Sequence, residues 1–247
     1  LEELDLARVA DTLEAAGRRL LPGVQRGLTE LHRAVRSVQE AQGSGVLNVS
    51  MAPTFLQKWL MPRLAEFHEA HPRIDLRISA DDAVVDFDQS DFHAAIRFGP
   101  GRWHGLRSER LLRDWIMPVC SPDLLKDHGP LRSASDLQRF NLLYVESELW
   151  DAWFRVIGEQ ERDRRWPLLD DSLAILMAAE QADGVALTRW PLVARDIEAG
   201  RLVRPIDTAV RTDWSYYFVA PPHYYELPKV TALRDWLTTQ CSAFPAP

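Results

Sequence analysis

The sequence predicts an α/β fold with parallel strands covered by helices, and three observations lead there. Short apolar runs alternate along the chain with longer amphipathic segments. The strand candidates are Val46–Ser50, Ile74–Ser79, His93–Phe98, Asn141–Val145, Gly184–Thr188 and Leu202–Pro205. The helix candidates between them are Thr54–Ala70, Leu149–Glu159, Ser172–Ala182, Pro191–Ala199 and Lys229–Thr239. Strands separated by helices of this length need crossover connections, which lay helices over the faces of a parallel sheet. A late strand, SYYFVA at Ser215–Ala220, precedes the last helix. With 247 residues, 46% of them hydrophobic, the chain can bury a sizeable core as one large or two small domains. No repeat of fixed period and no low-complexity tract interrupts it.

The N-terminal region reads differently. Leu21, Val24, Leu28, Leu31, Val35 and Val38 follow strict 3-4-3-4-3 spacing, while Arg18, Arg19, Arg26, Glu30, Arg33, Arg36 and Glu40 occupy the other faces. That spacing holds a narrow apolar stripe toward a partner helix, as in a coiled coil, and predicts a dimerising helix. The competing reading is an amphipathic helix packed on its own domain. The stripe ends in a GSG linker at 43–45.

The bulk numbers exclude several classes. A net charge of −7 makes this chain a poor candidate for gripping nucleic acid by general electrostatics. Cys120 and Cys241 lie far apart and form neither a CxxC nor a zinc spacing, which fits a reducing cytoplasm. No apolar run approaches a membrane span, and no signal peptide opens the chain. The first residue is Leu1 rather than Met, so the chain is read as a fragment or as one whose start is unseen. There is no GxSxG elbow, no SxxK and no phosphate-binding loop, so no enzyme and no cofactor are expected. His68 and His71 in HEAH stand one residue short of the HExxH spacing and read as surface histidines. The acidic stretch 81–91, with Asp81, Asp82, Asp86, Asp88 and Asp91, lacks the glycine and terminal glutamate of a calcium loop.

Three helix starts carry polar groups: Thr54 after Pro53, Ser172 after Asp170 and Asp171, and Ser147–Glu148 ahead of the Trp150 helix. A hydroxyl there can simply cap the helix. The same ends, with free N–H groups and the positive end of the helix dipole, also receive carboxylates well. In open α/β folds ligands lie beyond the C-terminal ends of the strands, where such helices begin. Spacing alone leaves both readings open.

GVLNVSMAPTFLQKWLMPRLAEFHEAHPRIDLRI, AAIRFGPGRWHGL, PVCSPDLL, DGVALTRWPLVARDIEAGRLVRP and SYYFVAPP…PKVTALRDWL occur in this order. Together they resemble the LysR-type transcriptional regulators over about residues 12–240, most of all the branch of the glycine-cleavage and β-lactamase (cell-wall-peptide-sensing) regulators. The resemblance implies a fold like the type 2 periplasmic binding proteins, with two Rossmann-like lobes joined by two crossover strands, preceded by a long dimerising α-helix. The implied division is a remnant of the winged helix-turn-helix at 1–12 and a linker helix at 13–42. Lobe one would comprise 46–116 and 218–247, and lobe two 117–217.

The resemblance also carries a site over. Thr54, after Pro53 and before Phe55, matches the hydroxyl residue of lobe one. Ser172 matches the hydroxyl of lobe two, Tyr216 a tyrosine on the second crossover, and Asp86 an acidic position used in the cell-wall-peptide branch. Arg97 and Phe98 would rim the cleft, and Trp150 would face the ligand from another helix start. Together these would take a small zwitterion, an amino acid or a cell-wall peptide. The expected partners are that effector, DNA through the winged helix-turn-helix of the intact protein, and further copies in a dimer or tetramer, all in the bacterial cytoplasm. A transporter's solute-binding protein using the same cleft is the alternative, against which the heptad stripe counts.

Overall fold

The computed structural model describes residues 14, 16–24, 27, 44–126, 131, 133–145, 149–158 and 168–247. Residues 16–24 are helical, with Leu21 and Val24 exposed on the single chain. The other stripe positions, Leu28, Leu31, Val35 and Val38, lie outside the described residues, as do residues 1–12 and Ser147–Glu148.

β1 (Gly45–Met51) leads into a continuous helical stretch. The stretch opens as a π-helical segment at Phe55–Leu60, tightens to a 3-10 turn at Met61–Arg63 and ends as α1 (Leu64–Ala70). Thr54–Ala70 is thus helical as the periodicity predicts, but it is not one regular α-helix. Pro62 lacks an N–H and its ring crowds the preceding turn, so the hydrogen-bond ladder changes step around it. Then come β2 (Ile74–Ala80), β3 (Ala94–Gly99), β4 (Arg107–Val119) and α2 (Pro122–Lys126). β5 (Leu142–Val145), α3 (Leu149–Val156), β6 (Leu168–Leu169), α4 (Ser172–Glu180), β7 (Val185–Arg189) and α5 (Trp190–Glu198) follow. The chain closes with β8 (Val210–Ala220), α6 (Pro222–Tyr225) and α7 (Pro228–Ser242).

The strands form one eight-stranded sheet in the order β2-β1-β3-β8-β4-β7-β5-β6. β1 is parallel to both β2 and β3, and β5 is parallel to both β6 and β7. Between these two parallel halves run the antiparallel β4 and β8, paired from Arg107 with Ala220 to Ile116 with Val210. β8 also pairs with β3, and β4 with β7, so each long strand serves both halves. Register shifts between Arg110 and Leu112 and between Arg113 and Trp115 mark where the pair twists from one half to the other.

Each half has its own core. Leu47, Val49, Phe55, Trp59, Phe67, Ile96 and Phe218 pack with Val230, Leu233 and Leu237 of α7, which returns to cover the first half. In the second half the two-residue period of a strand sorts side chains to opposite faces. Leu142, Tyr144, Val185 and Leu187 meet Trp150, Trp153 and Phe154 of α3 on one face. Leu143 and Ala186, one residue out of phase, meet Ile175 and Leu176 of α4 and Val193 of α5 on the other.

Two expectations need correction. Leu202–Pro205 is not a strand; only Val203 joins, through an isolated bridge to Cys120 with N–H···O distances of 3.1 and 2.8 Å. The residue Pro205 has no N–H with which to extend such a ladder. Conversely, periodicity leaves Arg107–Val119 unassigned, because Arg107, Glu109, Arg110, Arg113 and Asp114 break the apolar alternation. It is nonetheless a thirteen-residue strand inside the sheet, carrying buried Leu112, Ile116, Met117 and Val119. Among the described residues no helix is long and apolar enough to cross a membrane.

Where β7 begins beside β5, Val185 donates to the Asn141 carbonyl at 2.8 Å. A Cβ on Gly184 would stand 2.4 Å from that carbonyl oxygen and 2.9 Å from Leu143 Cδ2. The strands could not stay this close with any side chain at 184. Gly184→Ala is therefore expected to destabilise the fold by about 1–3 kcal/mol in urea unfolding; an unchanged midpoint would show that the strands part without cost.

Candidate functional site

The chain leaves β1 at Met51, turns at Ala52 and Pro53, and is already helical at Thr54, whose φ of −63° and ψ of −44° are those of a helix. Its side chain makes no capping hydrogen bond. At the corresponding start in the other half, α4 is capped by Asp171, whose carboxylate accepts the Leu173 N–H at 2.8 Å. Ser172 is the first helical residue and its hydroxyl is not the cap. Capping, the simpler reading for both hydroxyls, is thus not what either of them does.

Both line the same cavity. It has a volume of about 410 Å³ and is bounded by Ala52, Thr54, Asp82, Phe98, Val145, Asp170, Ser172, Ile175, Leu187, Thr188, Arg189, Leu192 and Tyr216. That size is within the usual range for small-molecule sites. Thr54, Asp82 and Phe98 come from the first half, Asp170 to Leu192 from the second, and Tyr216 from the strand that crosses between them.

The polar groups are held in place from behind. Tyr216 is 4% exposed, with its ring 5.1 Å from Phe55 and 5.0 Å from Phe98. Burial pushes its phenol well above the ordinary value, so it stays neutral and can donate. Arg189 stacks over the Phe98 ring at 3.9 Å and donates to the carboxylate of Asp114. Asp114 is fully buried and also accepts the Thr212 hydroxyl at 2.7 Å. Burial raises the Asp114 carboxyl, and Arg189 pulls it back toward ionisation. Arg189 is the cation of the cavity lining, fixed by an acid beneath it and a ring beside it. The Asp82 carboxyl is raised chiefly by burial; Arg97 opposes this, while Asp81 and Asp171 add to it.

Of the residues expected at the site, the structure brings Thr54, Phe98, Ser172 and Tyr216 together. The other five lie off the cavity lining. Pro53 forms the first turn behind Thr54, and Phe55 is buried behind Tyr216. Arg97 turns its guanidinium to the Ser50 hydroxyl at 2.7 Å and the Ala83 carbonyl at 2.9 Å, tying β3 to the loop after β2. Asp86 accepts the backbone N–H groups of Asp88 and Gln89 and borders a smaller hollow of about 190 Å³. Trp150 is core: it is 3% exposed, stacks on Phe154, and donates its indole N–H to the Leu143 carbonyl at 2.9 Å.

Four polar lining residues, Asp82, Asp170, Thr188 and Arg189, went unassigned in the sequence. Asp82 and Asp170 stood in view within acidic runs, but nothing distinguished them from their neighbours. Thr188 and Arg189 carried a usable signal, since polar residues ending a buried strand before a helix sit where open α/β folds place ligands. Among the described residues no cluster of His, Cys, Asp or Glu could hold a metal.

Comparison with known proteins agrees with this architecture. Residues 40–242 match the LysR substrate binding domain. The chain is 35% identical over 233 residues to the glycine cleavage system transcriptional activator of Escherichia coli (strain K12), covering 94% of this chain and 76% of that one. The effector domain of the transcriptional regulator AmpR of Pseudomonas aeruginosa aligns with a TM-score of 0.69 and 34% identity, over 80% of this chain and 95% of that one. The effector binding domain of Citrobacter freundii bearing three amino acid substitutions aligns with a TM-score of 0.70 and 25% identity, over 80% and 100% of the two chains. These relatives are regulators rather than enzymes or transport proteins, and the sheet of two parallel halves crossed by β4 and β8 is the fold of their effector domains. The chain belongs to the LysR-type transcriptional regulators.

Proposed function

We propose that this regulator senses a small carboxylate-bearing molecule, an amino acid or a cell-wall peptide, in the cavity between Thr54 and Ser172. The observation that carries this is the convergence of two uncapping hydroxyls from opposite halves on one cavity, with the neutral Tyr216 phenol between them. Hydroxyl and N–H donors at two helix starts, with Arg189 close by, suit a carboxylate. A further support is spacing. In the Citrobacter freundii domain the substituted positions are a threonine, a serine and a tyrosine, 118 and then 43 positions apart. Thr54, Ser172 and Tyr216 are 118 and then 44 apart.

The regulatory step follows from linkage. An effector that touches both halves binds their closed arrangement better than the open one, and only that difference can shift the equilibrium between them. The shift would pass through the N-terminal helix to the winged helix-turn-helix of the intact protein, which reads paired half-sites on DNA in the cytoplasm. The helix would pair subunits through the Leu21 and Val24 stripe, whose described members are exposed on the single chain.

Two outcomes are expected. In a calorimetric screen of amino acids and D-alanyl peptides, Thr54→Ala or Ser172→Ala should weaken the best binder by about tenfold, the worth of one hydrogen bond to a charged group. Affinity indifferent to both changes would sink the site. Independently, replacing Leu21 and Val24 together by Glu should shift the chain toward monomer in sedimentation equilibrium, since charge at stripe positions opposes helix pairing. Unchanged mass would remove the stripe from the dimer contact.

A further inference from the structure

The cavity is unbalanced in charge. Asp82 enters it from the first half, on the loop after β2, and Asp170 from the second, on the turn between β6 and α4. Among the described residues neither carboxylate forms an ion pair. Arg189 is held by Asp114, and Arg97, which donates to the Ser50 hydroxyl and the Ala83 carbonyl, attracts Asp82 without forming an ion pair with it. Asp171, from the second half, acts unfavourably on Asp82 of the first, so negative charge opposes negative charge across the cleft. Tyr216 and Thr188 are 4% and 5% exposed, line the same space, and make no side-chain hydrogen bond among the described residues. These largely buried side chains open their hydroxyls to the cavity, where a polar guest can partner them.

A guest bearing only a carboxylate would add one more negative charge to this lining. A cationic nitrogen would offset the two carboxylates already there. We propose that Asp82 and Asp170 form a clasp, one jaw on each half, for an ammonium group of the effector, which is therefore a zwitterion. Its carboxylate meets Thr54 and Ser172, so the inference rests on the site reading above and adds the second charged group. An ammonium has three donors, so one nitrogen can donate to both carboxylates and tie the two halves together. The clasp thus supplies the preference for the closed arrangement that switching requires. Two carboxylates without a third ligand among the described residues do not make a metal site.

The test uses alanine, D-alanyl-D-alanine, and the N-acetyl and C-terminal amide derivatives of each, titrated calorimetrically into the chain and into Asp82→Asn and Asp170→Asn variants. Each free zwitterion that binds should do so at least about tenfold more tightly than its N-acetyl derivative, in line with a charge-assisted hydrogen bond. Either substitution should erase that difference while leaving the N-acetyl compound unaffected. N-acetyl compounds binding as well as the zwitterions, or zwitterions bound equally by the variants, would overturn the clasp and leave the carboxylate reading standing. Amides binding as well as the free acids would overturn the carboxylate reading and leave the clasp. No binding by any of the six would overturn both.

Discussion

The antiparallel pairing of β4 with β8 is the constraint on which everything else depends. These strands join the two parallel halves of the sheet and complete each half at its inner edge. Their positions carry the centre of the site as well. Tyr216 lies on β8 and Asp114 on β4, so the pairing that joins the halves also sets the phenol against the acid that holds Arg189. Gripping Arg189 by a buried acid costs solvation, since burial works against the charge on Asp114. The return is a guanidinium already oriented beside the cavity before any ligand enters.

Beyond that strand pair, the described contacts between the halves include ion pairs, a hydrogen bond and the stacking of Arg189 of the second half on Phe98 of the first. Lys58 of the first half reaches Glu180 at 3.2 Å and Asp196 at 3.1 Å in the second. Trp190 donates to the Pro245 carbonyl at 2.8 Å, and Leu192 of α5 packs into the first core. The Lys58, Glu180 and Asp196 side chains are largely buried, so their attraction is offset by the desolvation of the charges, and coupling between sites in regulators is typically about 1–3 kcal/mol. A ligand with one good contact on each half supplies a difference in affinity of that order.

Much of this was legible in the sequence, and what was not has physical causes. The parallel strands β3, β5 and β7 stand out because they are mostly buried on both faces, while β2 at the sheet edge shows instead an apolar–polar alternation with Asp75 and Arg77 exposed. β4 was missed because its charged residues serve the strand pair and the cleft rather than a core. Thr54 and Ser172 were found as helix starts, yet residues alone could not tell a cap from a ligand-facing hydroxyl. Asp171 takes the cap at α4, which spacing could not foretell. Trp150 shows the opposite case, a helix start whose aromatic ring is drawn into the core by Phe154 and Trp153. Among the acids of the 81–91 stretch, Asp82 reaches the cavity while Asp86 turns back to its own loop. Side-chain direction in an irregular loop leaves no periodic trace.

The central claim is that one molecule is held by both halves at once, between the two hydroxyls. A crystal structure of the chain purified with whatever effector it retains, or soaked with the tightest binder, tests this most directly. The expected result is ligand density within hydrogen-bond distance of both Thr54 and Ser172. Density confined to one half, or in the hollow beside Asp86, would contradict it.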